Sequence, residues 1–178
     1  MADKRPLVRH QALLSLGSNI EPEKNLPAAV RALERHGRVL RISGVWQSPP
    51  AGGAGQPDYL NSAIWLETPL SAEELKKNAI AEVETALGRI RDIDRNGPRT
   101  IDIDIMFFDH ERLRVGRRAI PDPEVLERPF VAIPLAEIAP DYIHPETGET
   151  LAGIAARFDP QAAGMRLRPD VILTSSEA

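Results

Sequence analysis

An alternating run near the middle of the chain constrains the fold more than any other feature. From Ile101 the sequence reads Ile-Asp-Ile-Asp-Ile, and this period-2 pattern predicts a β-strand with the isoleucines on one face. The opposite face then carries Thr100, Asp102, Asp104, Met106 and Phe108. Carboxylates at i and i+2 lie roughly 7 Å apart along such a strand. Because both can ligate bound cations at that spacing, the run predicts a candidate metal site.

A simpler interpretation of the same run is a half-buried strand whose polar side faces water. The residues after Asp104 argue against it, because Met106 and Phe108 continue the same face as apolar groups. Charges at the edge of an apolar face are costly unless a cation neutralises them. Two uncompensated carboxylates also repel each other, so we expect replacement of either one by Asn to stabilise the ligand-free protein.

The basic residues are distributed unevenly. The chain carries 22 basic and 26 acidic residues, for a net charge of −4, which does not favour nucleic acid as a partner. Eighteen of the 22 are arginines, and nine of these lie between Arg89 and Arg128. Arginine forks grip phosphate oxygens that a hard metal also bridges. The clustering therefore predicts a local phosphate site beside the acidic strand.

Several other site types are excluded by the sequence. Residues 92–97 match the first half of an EF-hand loop, but the twelfth position is Ile103 where a bidentate glutamate is needed. No phosphate-binding P-loop motif is present, and the glycines at 52–55 are flanked by prolines and open no helix. The chain has no cysteine, which excludes disulfides, thiolate catalysis and cysteine zinc sites.

The length of 178 residues predicts a single domain spanning residues 1–178. Neither a signal peptide nor a run of ~18 apolar residues is found, so we expect a cytoplasmic protein without a membrane partner.

The remaining segments predict a definite order of elements. Residues 12–16 read as a strand stopped by Gly17, residues 26–37 as a helix, and residues 39–47 as a strand followed by a long loop over 48–57. Residues 59–66 alternate as a strand with Asn61 on the face of Ala63 and Trp65. A capping box at 71–74 begins a helix that ends at Gly88. The order β, α, β, β, α, β predicts an α+β, ferredoxin-like, antiparallel-rich sheet with helices packed on one face, plus C-terminal additions.

With these segments placed, the sequence resembles the 6-hydroxymethyl-7,8-dihydropterin pyrophosphokinase family of folate biosynthesis. The resemblance covers about residues 12–151, and its most specific block is Gly-Pro-Arg-Thr-Ile-Asp-Ile-Asp at 97–104. Further blocks are Leu-Gly-Ser-Asn at 16–19, Ser-Pro-Pro at 48–50, Gln-Pro-Asp-Tyr-Leu-Asn at 56–61, Leu-Gly-Arg-Ile-Arg at 87–91 and Arg-Pro-Phe at 128–130.

The resemblance implies transfer of pyrophosphate from ATP to the pterin hydroxymethyl group, with release of AMP and no obligate protein partner. It implies two Mg²⁺ ions on Asp102 and Asp104, with Arg89 and Arg99 stabilising the transition state. The implied ATP-binding residues are Arg91, Arg95, Arg128, Glu84, Ile105 and Asp122. The implied pterin-binding residues are Tyr59 and Phe130, which would stack on the ring, with Asn61, Ser48 and Pro49 at its polar edge.

Two positions depart from the family pattern. Asn96 stands where a tryptophan is common, and Asp122 stands where a histidine is common between two prolines. We expect Asp122 to form an ion pair with a nearby arginine, because a carboxylate close to triphosphate would weaken binding. Two alternatives stay open at this point: a family member that binds pterin or nucleotide without turnover, and a nucleotidyltransferase with an Asp-x-Asp strand.

Overall fold

The structure is a computed structural model that describes residues 8–51, 55–90 and 97–176. Its strands are β1 His10–Ser18, β2 Arg38–Ile42, β3 Trp46–Ser48, β4 Tyr59–Thr68, β5 Asp102–Phe108, β6 Leu113–Val115, β7 Arg118–Ile120 and β8 Arg166–Leu167. Its α-helices are α1 Pro22–Leu33, α2 Ala72–Glu74, α3 Ala81–Ala86, α4 Glu124–Glu127, α5 Pro129–Ile138 and α6 Leu151–Ala155. A 3₁₀ turn over Glu34–His36 follows α1, and a π-helical segment over Leu75–Ile80 joins α2 to α3.

The main sheet has the order β5-β1-β4-β3-β8, and β2 also pairs with β4. Every pairing in it is antiparallel. Strand β1 lies between β4 and β5, so Asp102 of β5 and Asn61 of β4 are each one strand away from β1. A separate hairpin is formed by β6 and β7. The predicted α+β class with an antiparallel sheet is confirmed.

Apolar side chains are buried on both faces of the main sheet. On the first face, Leu14 and Leu16 of β1 pack in one cluster with Leu26 of α1 and Val83 of α3. On the second face, Leu13 belongs to another cluster that includes residues of α5 and α6. The two early helices therefore share one face as expected, and the C-terminal additions cover the other.

The helix that begins after Ser71 follows its sequence signal closely. Glu74 N–H donates to Ser71 Oγ at 3.3 Å, and Ser71 N–H donates to a Glu74 carboxylate oxygen at 2.9 Å. This reciprocal capping box leaves fewer unsatisfied amides at the helix start. The π-helical segment inserts an extra residue per turn, a feature that helical periodicity did not indicate and that is frequent at functional sites.

Two predicted boundaries on β1 and β2 are wrong. Gly17 does not stop the first strand, because β1 continues through Ser18 and Gly17 pairs with residues on both sides. Residues 39–47 form two strands rather than one. The break falls at Ser43, whose hydroxyl accepts a hydrogen bond from Ala63 N–H at 2.8 Å while its own N–H donates to Ala63 O at 3.0 Å.

The predicted alternation along β5 holds only as far as Met106. The register with β1 shifts there, because Leu14 pairs with Ile105 while Leu13 pairs with Phe107. The extra residue of this β-bulge places Met106 and Phe107 on the same side of the sheet. Phe108 consequently packs in the first-face cluster, so the prediction that it shares a face with the aspartates is wrong.

Within the described part of the chain, no helix combines the length and apolar character that a bilayer crossing requires.

His144 gives the fold an expected pH dependence. Its ring is buried edge-on to Phe107 at 5.4 Å, and its Nδ1 accepts a hydrogen bond from Glu146 N–H at 3.2 Å. Burial lowers the pKa of His144, which the Glu146 carboxylate only partly offsets, below the ordinary value of 6.5. His144 therefore binds a proton more readily in the unfolded chain than in the folded protein. The free energy of unfolding falls as the pH drops below about 6.5.

Urea unfolding between pH 7.5 and 5.5 checks this expectation. His144→Asn, which keeps a hydrogen-bond acceptor near Nδ1, should flatten the loss of stability on acidification. His110→Asn, at an exposed histidine, should leave the slope as in the wild type. An unchanged slope in His144→Asn would mean that other groups cause the acid sensitivity.

Candidate active site

A cavity of about 230 Å³ opens where β1, β3, β4 and β5 end. It brings together nine of the predicted site residues from four separate segments of the chain. These are Ser48, Pro49, Tyr59, Asn61, Arg99, Asp102, Asp104, Arg128 and Phe130. The convergence arises because β1 pairs with both β4 and β5, which aligns the ends of three strands that are distant in sequence.

Gly17 forms the floor of this cavity. In the sheet it pairs with Asn61 on one side and with Asp102 on the other. A Cβ atom at this position would lie 3.4 Å from Asn61 Oδ1 and 3.7 Å from Tyr59 Cδ1. The absence of a side chain therefore leaves room above the sheet for a ligand. Sequence reasoning missed this role because it assigned the glycine to a turn.

One wall of the cavity presents amide and hydroxyl groups. Asn61 is 4% exposed, and its Nδ2 donates to Ser48 Oγ at 2.8 Å and to Trp46 O at 3.2 Å. These two bonds fix the plane of the amide. The adjoining loop contributes Pro49. The wall is therefore preorganised to meet polar atoms along the edge of a ligand.

Two aromatic rings contribute to the same cavity. Tyr59 begins β4, and Phe130 lies in the first turn of α5. Burial raises the pKa of the Tyr59 hydroxyl, with Arg99 acting in the opposite direction. Tyr59 therefore stays protonated near neutral pH. Both rings offer flat apolar surfaces to a ligand.

The acidic pair is matched by four cationic side chains. Asp102 forms ion pairs with Arg89, at 2.7 Å, and with Arg99. Asp104 forms ion pairs with Lys76 at 2.9 Å and with Arg118 at 3.3 Å. Each of the four carboxylate oxygens thus faces a different cation. We expected that removing one carboxylate would stabilise the ligand-free protein because the two charges were unpaired. That expectation is wrong, because both carboxylates have cationic partners.

The ionisation of Asp104 follows from these neighbours. Burial by itself would raise the pKa of Asp104, but the charges of Lys76 and Arg118 outweigh it and hold the pKa below its ordinary value. The pKa of Arg118 is raised because Asp104 and Asp122 outweigh the opposing effect of its burial. The Asp104 side chain is therefore ionised at neutral pH, and the ionised carboxylate is the form that ligates a metal.

The donor set fits Mg²⁺ better than a metal that needs a full protein cage. Among residues 8–51, 55–90 and 97–176, no group of three or more His, Cys, Asp or Glu side chains is arranged to hold an ion. Mg²⁺ is commonly bound by one or two carboxylates, with waters and substrate phosphates completing its shell. Asp102 and Asp104 face the cavity as such a pair.

A second cavity of about 580 Å³ adjoins the acidic strand and is lined by Lys76, Lys77, Ala81, Glu84, Thr85 and Arg89. Glu84 is buried, and its Oε1 accepts hydrogen bonds from Ile103 N–H at 3.0 Å and from Arg89. Glu84 thereby aims Arg89 at Asp102. Ile105 is buried in the first-face core cluster. Contact of Glu84 or Ile105 with a nucleotide stays a prediction.

Asp122 forms the ion pair that the sequence predicted. Its Oδ2 accepts from Arg118 Nη1 at 3.0 Å, and its Oδ1 accepts from Glu124 N–H at 3.0 Å. Because Arg118 also contacts Asp104, the carboxylate of Asp122 is connected to the acidic pair through one guanidinium. Asp122 is buried and is not among the residues that line the cavity of about 230 Å³.

Sequence reasoning missed Lys76 and Arg118 as neighbours of the acidic pair. The π-helical segment that carries Lys76 gave no sequence signal, and Arg118 lies 14 residues beyond Asp104 in the chain. Arg91 and Arg95, with the unusual Asn96, lie outside the described residues. A further cavity of about 990 Å³ is lined by none of the predicted site residues.

Comparison with known proteins agrees with this geometry. The family model of 7,8-dihydro-6-hydroxymethylpterin-pyrophosphokinase matches residues 13–140. A Synechocystis protein named 2-amino-4-hydroxy-6-hydroxymethyldihydropteridine pyrophosphokinase is 40% identical over 166 residues, covering 89% of this chain and 84% of its own. A protein of the same name from Methylorubrum extorquens is 39% identical over 153 residues, covering 84% of this chain and 94% of its own.

Solved structures show the same fold at low sequence identity. The crystal structure of Plasmodium falciparum wild-type HPPK-DHPS with pterin and p-hydroxybenzoate superimposes with a TM-score of 0.68 at 13% identity. The match covers 88% of this chain and 42% of that longer chain. The family match and the identity to relatives of similar length are decisive: the chain belongs to the 7,8-dihydro-6-hydroxymethylpterin-pyrophosphokinase family.

Proposed function

We propose that this protein transfers the pyrophosphoryl group of ATP to the hydroxymethyl group of 6-hydroxymethyl-7,8-dihydropterin and releases AMP. The observation that carries the proposal is the single cavity that joins an acidic pair and arginines to an aromatic and amide-lined slot. The first half suits a metal-bound triphosphate, and the second suits a flat ring with polar edges. Both substrates are small molecules, and each half of the cavity matches one of them.

On the nucleotide side, Asp102 and Asp104 would hold two Mg²⁺ ions. When bound, these ions neutralise the triphosphate and favour in-line displacement. Arg89 and Arg99 already lie against Asp102, so a short side-chain movement brings them onto phosphate oxygens. Arg128 lines the same cavity and is placed to grip phosphate. Arg91 and Arg95 remain predicted contacts of ATP.

On the pterin side, Tyr59 and Phe130 would hold the ring by stacking. Asn61, with its Nδ2 engaged by Ser48 and Trp46, would read a donor on the ring edge through Oδ1. Ser48 and Pro49 lie at the same wall. This arrangement would place the ring with its hydroxymethyl group toward the acidic pair.

The reaction is a displacement at the β-phosphorus. The hydroxymethyl oxygen forms a bond to the β-phosphorus and loses its proton to solvent, and the bond from that phosphorus to the oxygen bridging the α- and β-phosphates breaks. AMP leaves with that oxygen. Arg89 and Arg99 stabilise the charge that develops on the transferred group.

Product analysis tests the proposal. The purified protein is incubated with ATP, Mg²⁺ and 6-hydroxymethyl-7,8-dihydropterin, and AMP should form in equal amount to the pyrophosphorylated pterin. Release of ADP would indicate a single phosphoryl transfer, and release of pyrophosphate would indicate a nucleotidyltransferase. Ligand binding with no product would favour a non-catalytic family member.

Removal of either aromatic ring should weaken pterin binding selectively. We expect Phe130→Ala and Tyr59→Ala each to weaken it by roughly 1–3 kcal/mol, because a stacked ring loses its apolar partner. Calorimetric titration of pterin and of ATP measures the two ligands separately, and ATP affinity should stay nearly unchanged.

Phe158→Ala is the matched control for this pair. Phe158 packs against the same second-face cluster as Phe130 but does not line the cavity. Its loss should lower thermal stability and leave pterin affinity as in the wild type. Equal losses for both ligands in Phe130→Ala would assign the ring to the fold rather than to the pterin slot.

A further inference from the structure

A segment beyond residues 13–140, the part matched by the family model, contacts strand β3, which leads into the loop between β3 and β4. Strand β8, Arg166–Leu167, adds to the edge of the main sheet by pairing with β3, where Gln47 lies opposite Arg166. Arg168 N–H extends this contact by donating to Val45 O at 2.8 Å. The three-residue strand β3 is therefore held on both sides, by β4 and by β8.

The side chain of Gln47 links three parts of the chain. Its Oε1 accepts from Arg166 Nη2 at 2.9 Å and from Arg168 Nη1 at 3.0 Å. Its Nε2 donates to Asp58 Oδ2 at 2.7 Å. Gln47 and Asp58 immediately precede Ser48 and Tyr59, which face each other across β3 and β4. One amide thus ties together both ends of the loop between β3 and β4.

Arg168 is itself held in a fixed orientation. Its Nε and Nη2 donate to the two carboxylate oxygens of Asp170 at 2.8 and 2.7 Å, and Nη2 also reaches Glu23 of α1 at 3.4 Å. A bidentate arginine–carboxylate pair restricts the guanidinium plane, which leaves Nη1 directed at Gln47. The contact on the loop is therefore made by a preorganised group.

The turn before β8 also lies close to the loop between β3 and β4. Gly164 has a φ of +67°, and a Cβ atom there would lie 3.4 Å from Pro49 Cγ. The segment therefore makes contact at two places: its side chains contact Gln47 in β3, and Gly164 lies near Pro49 at the start of the loop. None of Gln47, Asp58 and Arg168 lines the cavity, so their influence on a ligand is indirect.

We propose that Gln47 is a positioning residue for the pterin half of the site, and that Arg168 acts through it. The hydrogen bond from Gln47 to Asp58 sets the separation of the two loop ends, and hence the placement of Ser48 and Tyr59 about the ring. This inference rests on the proposed function, because it assumes that the slot takes the pterin. It assigns the C-terminal segment a role in substrate affinity in addition to its role in the sheet.

A reversal of the hydrogen bond tests the proposal. Gln47→Glu keeps the oxygen that accepts from Arg166 and Arg168 but replaces the amide that donates to Asp58 with a carboxylate oxygen of like charge. We expect the dissociation constant of the pterin to rise about fivefold, and that of the nucleotide to change less than twofold. In Gln47→Glu/Asp58→Asn the Asn amide donates back to the Glu, and pterin affinity should return to within twofold of wild type.

The measurement uses the full chain with Mg²⁺ and α,β-methylene-ATP, whose bridge cannot be cleaved, and titrates 6-hydroxymethyl-7,8-dihydropterin by calorimetry. Asp58→Asn alone should bind like wild type, because Gln47 can still donate to the Asn carbonyl. Arg168→Met should weaken pterin binding about threefold. Arg157→Met, which removes a surface arginine paired with Glu149, should not.

Steady-state kinetics separate positioning from a merely structural role. A positioning role raises the KM for the pterin in Gln47→Glu with kcat changed less than twofold. A lower melting temperature with unchanged pterin affinity, or an equal loss for both ligands, would overturn the inference. Absence of pterin binding by the wild type would overturn the proposed function itself, whereas normal binding that Gln47→Glu leaves intact would overturn the inference alone.

Discussion

Replacing Asp104 by Asn is expected to lower the rate of AMP release by about 10³-fold or more. The neutral amide removes one of the two charges that would hold Mg²⁺ against the triphosphate. It also leaves Lys76 and Arg118, which lie 2.9 and 3.3 Å from the Asp104 carboxylate, without their shared anion. Arg118 keeps its ion pair with Asp122, but Lys76 is a partly buried cation that loses its carboxylate. Because this loss is unfavourable, we expect the melting temperature to fall as well.

Turnover at saturating ATP and Mg²⁺, with circular dichroism to verify the fold, measures both effects. Asp109→Asn is a matched control, because Asp109 follows the far end of the same strand and pairs with His10 at 2.7 Å. It should retain near wild-type turnover. Full activity of Asp104→Asn at limiting Mg²⁺ would refute the assignment of Asp104 to the metal.

The second large effect is expected for Arg99→Ala, with a loss of about 10²–10³-fold in kcat. Arg99 lines the cavity and pairs with Asp102, so its guanidinium is one short movement from the transferred group. Its backbone N–H donates to Asn19 Oδ1 at 2.7 Å, a bond that the substitution does not remove. The loop before β5 should therefore keep its conformation while the chemistry slows.

Arg99→Lys should recover part of the activity, because a point charge replaces the lost cation without the bidentate fork. Arg112→Ala, at an exposed arginine 3.5 Å from Glu146, should behave as wild type. If Arg99→Ala instead raised the KM for ATP with kcat unchanged, the guanidinium would serve ground-state binding only.

Strands β4 and β5 and the paired aspartates could be predicted from the sequence because they follow from local alternation. Asp102 and Asp104 share a face wherever β5 is placed, and the same applies to Asn61 and Ala63 on β4. The bulge at Met106 could not be predicted, since it depends on how β1 and β5 align across the sheet. Alternation within one strand carries no information about its partner's register.

The cations around the acidic pair were predicted only in part. Arg89 and Arg99 belong to the arginine cluster close in sequence to the aspartates, and the family resemblance implied their roles. Lys76 and Arg118 reach Asp104 through a π-helical segment and a hairpin, whose positions are set by tertiary packing. Strand β8 has two residues, too few for any periodic signal.

Gly17 pairs with both Asn61 and Asp102, so the sheet sets the distance between the two halves of the site. The Cα atoms of Asn61 and Asp102 are separated by two inter-strand spacings, about 10 Å, and backbone hydrogen bonds fix this distance. Substitutions that enlarge, shorten or recharge the surrounding loops leave this length unchanged. The distance between the Asn61 amide and the Asp102 carboxylate is therefore set by the sheet. The affinity for either substrate can change through substitutions in the loops without altering that distance.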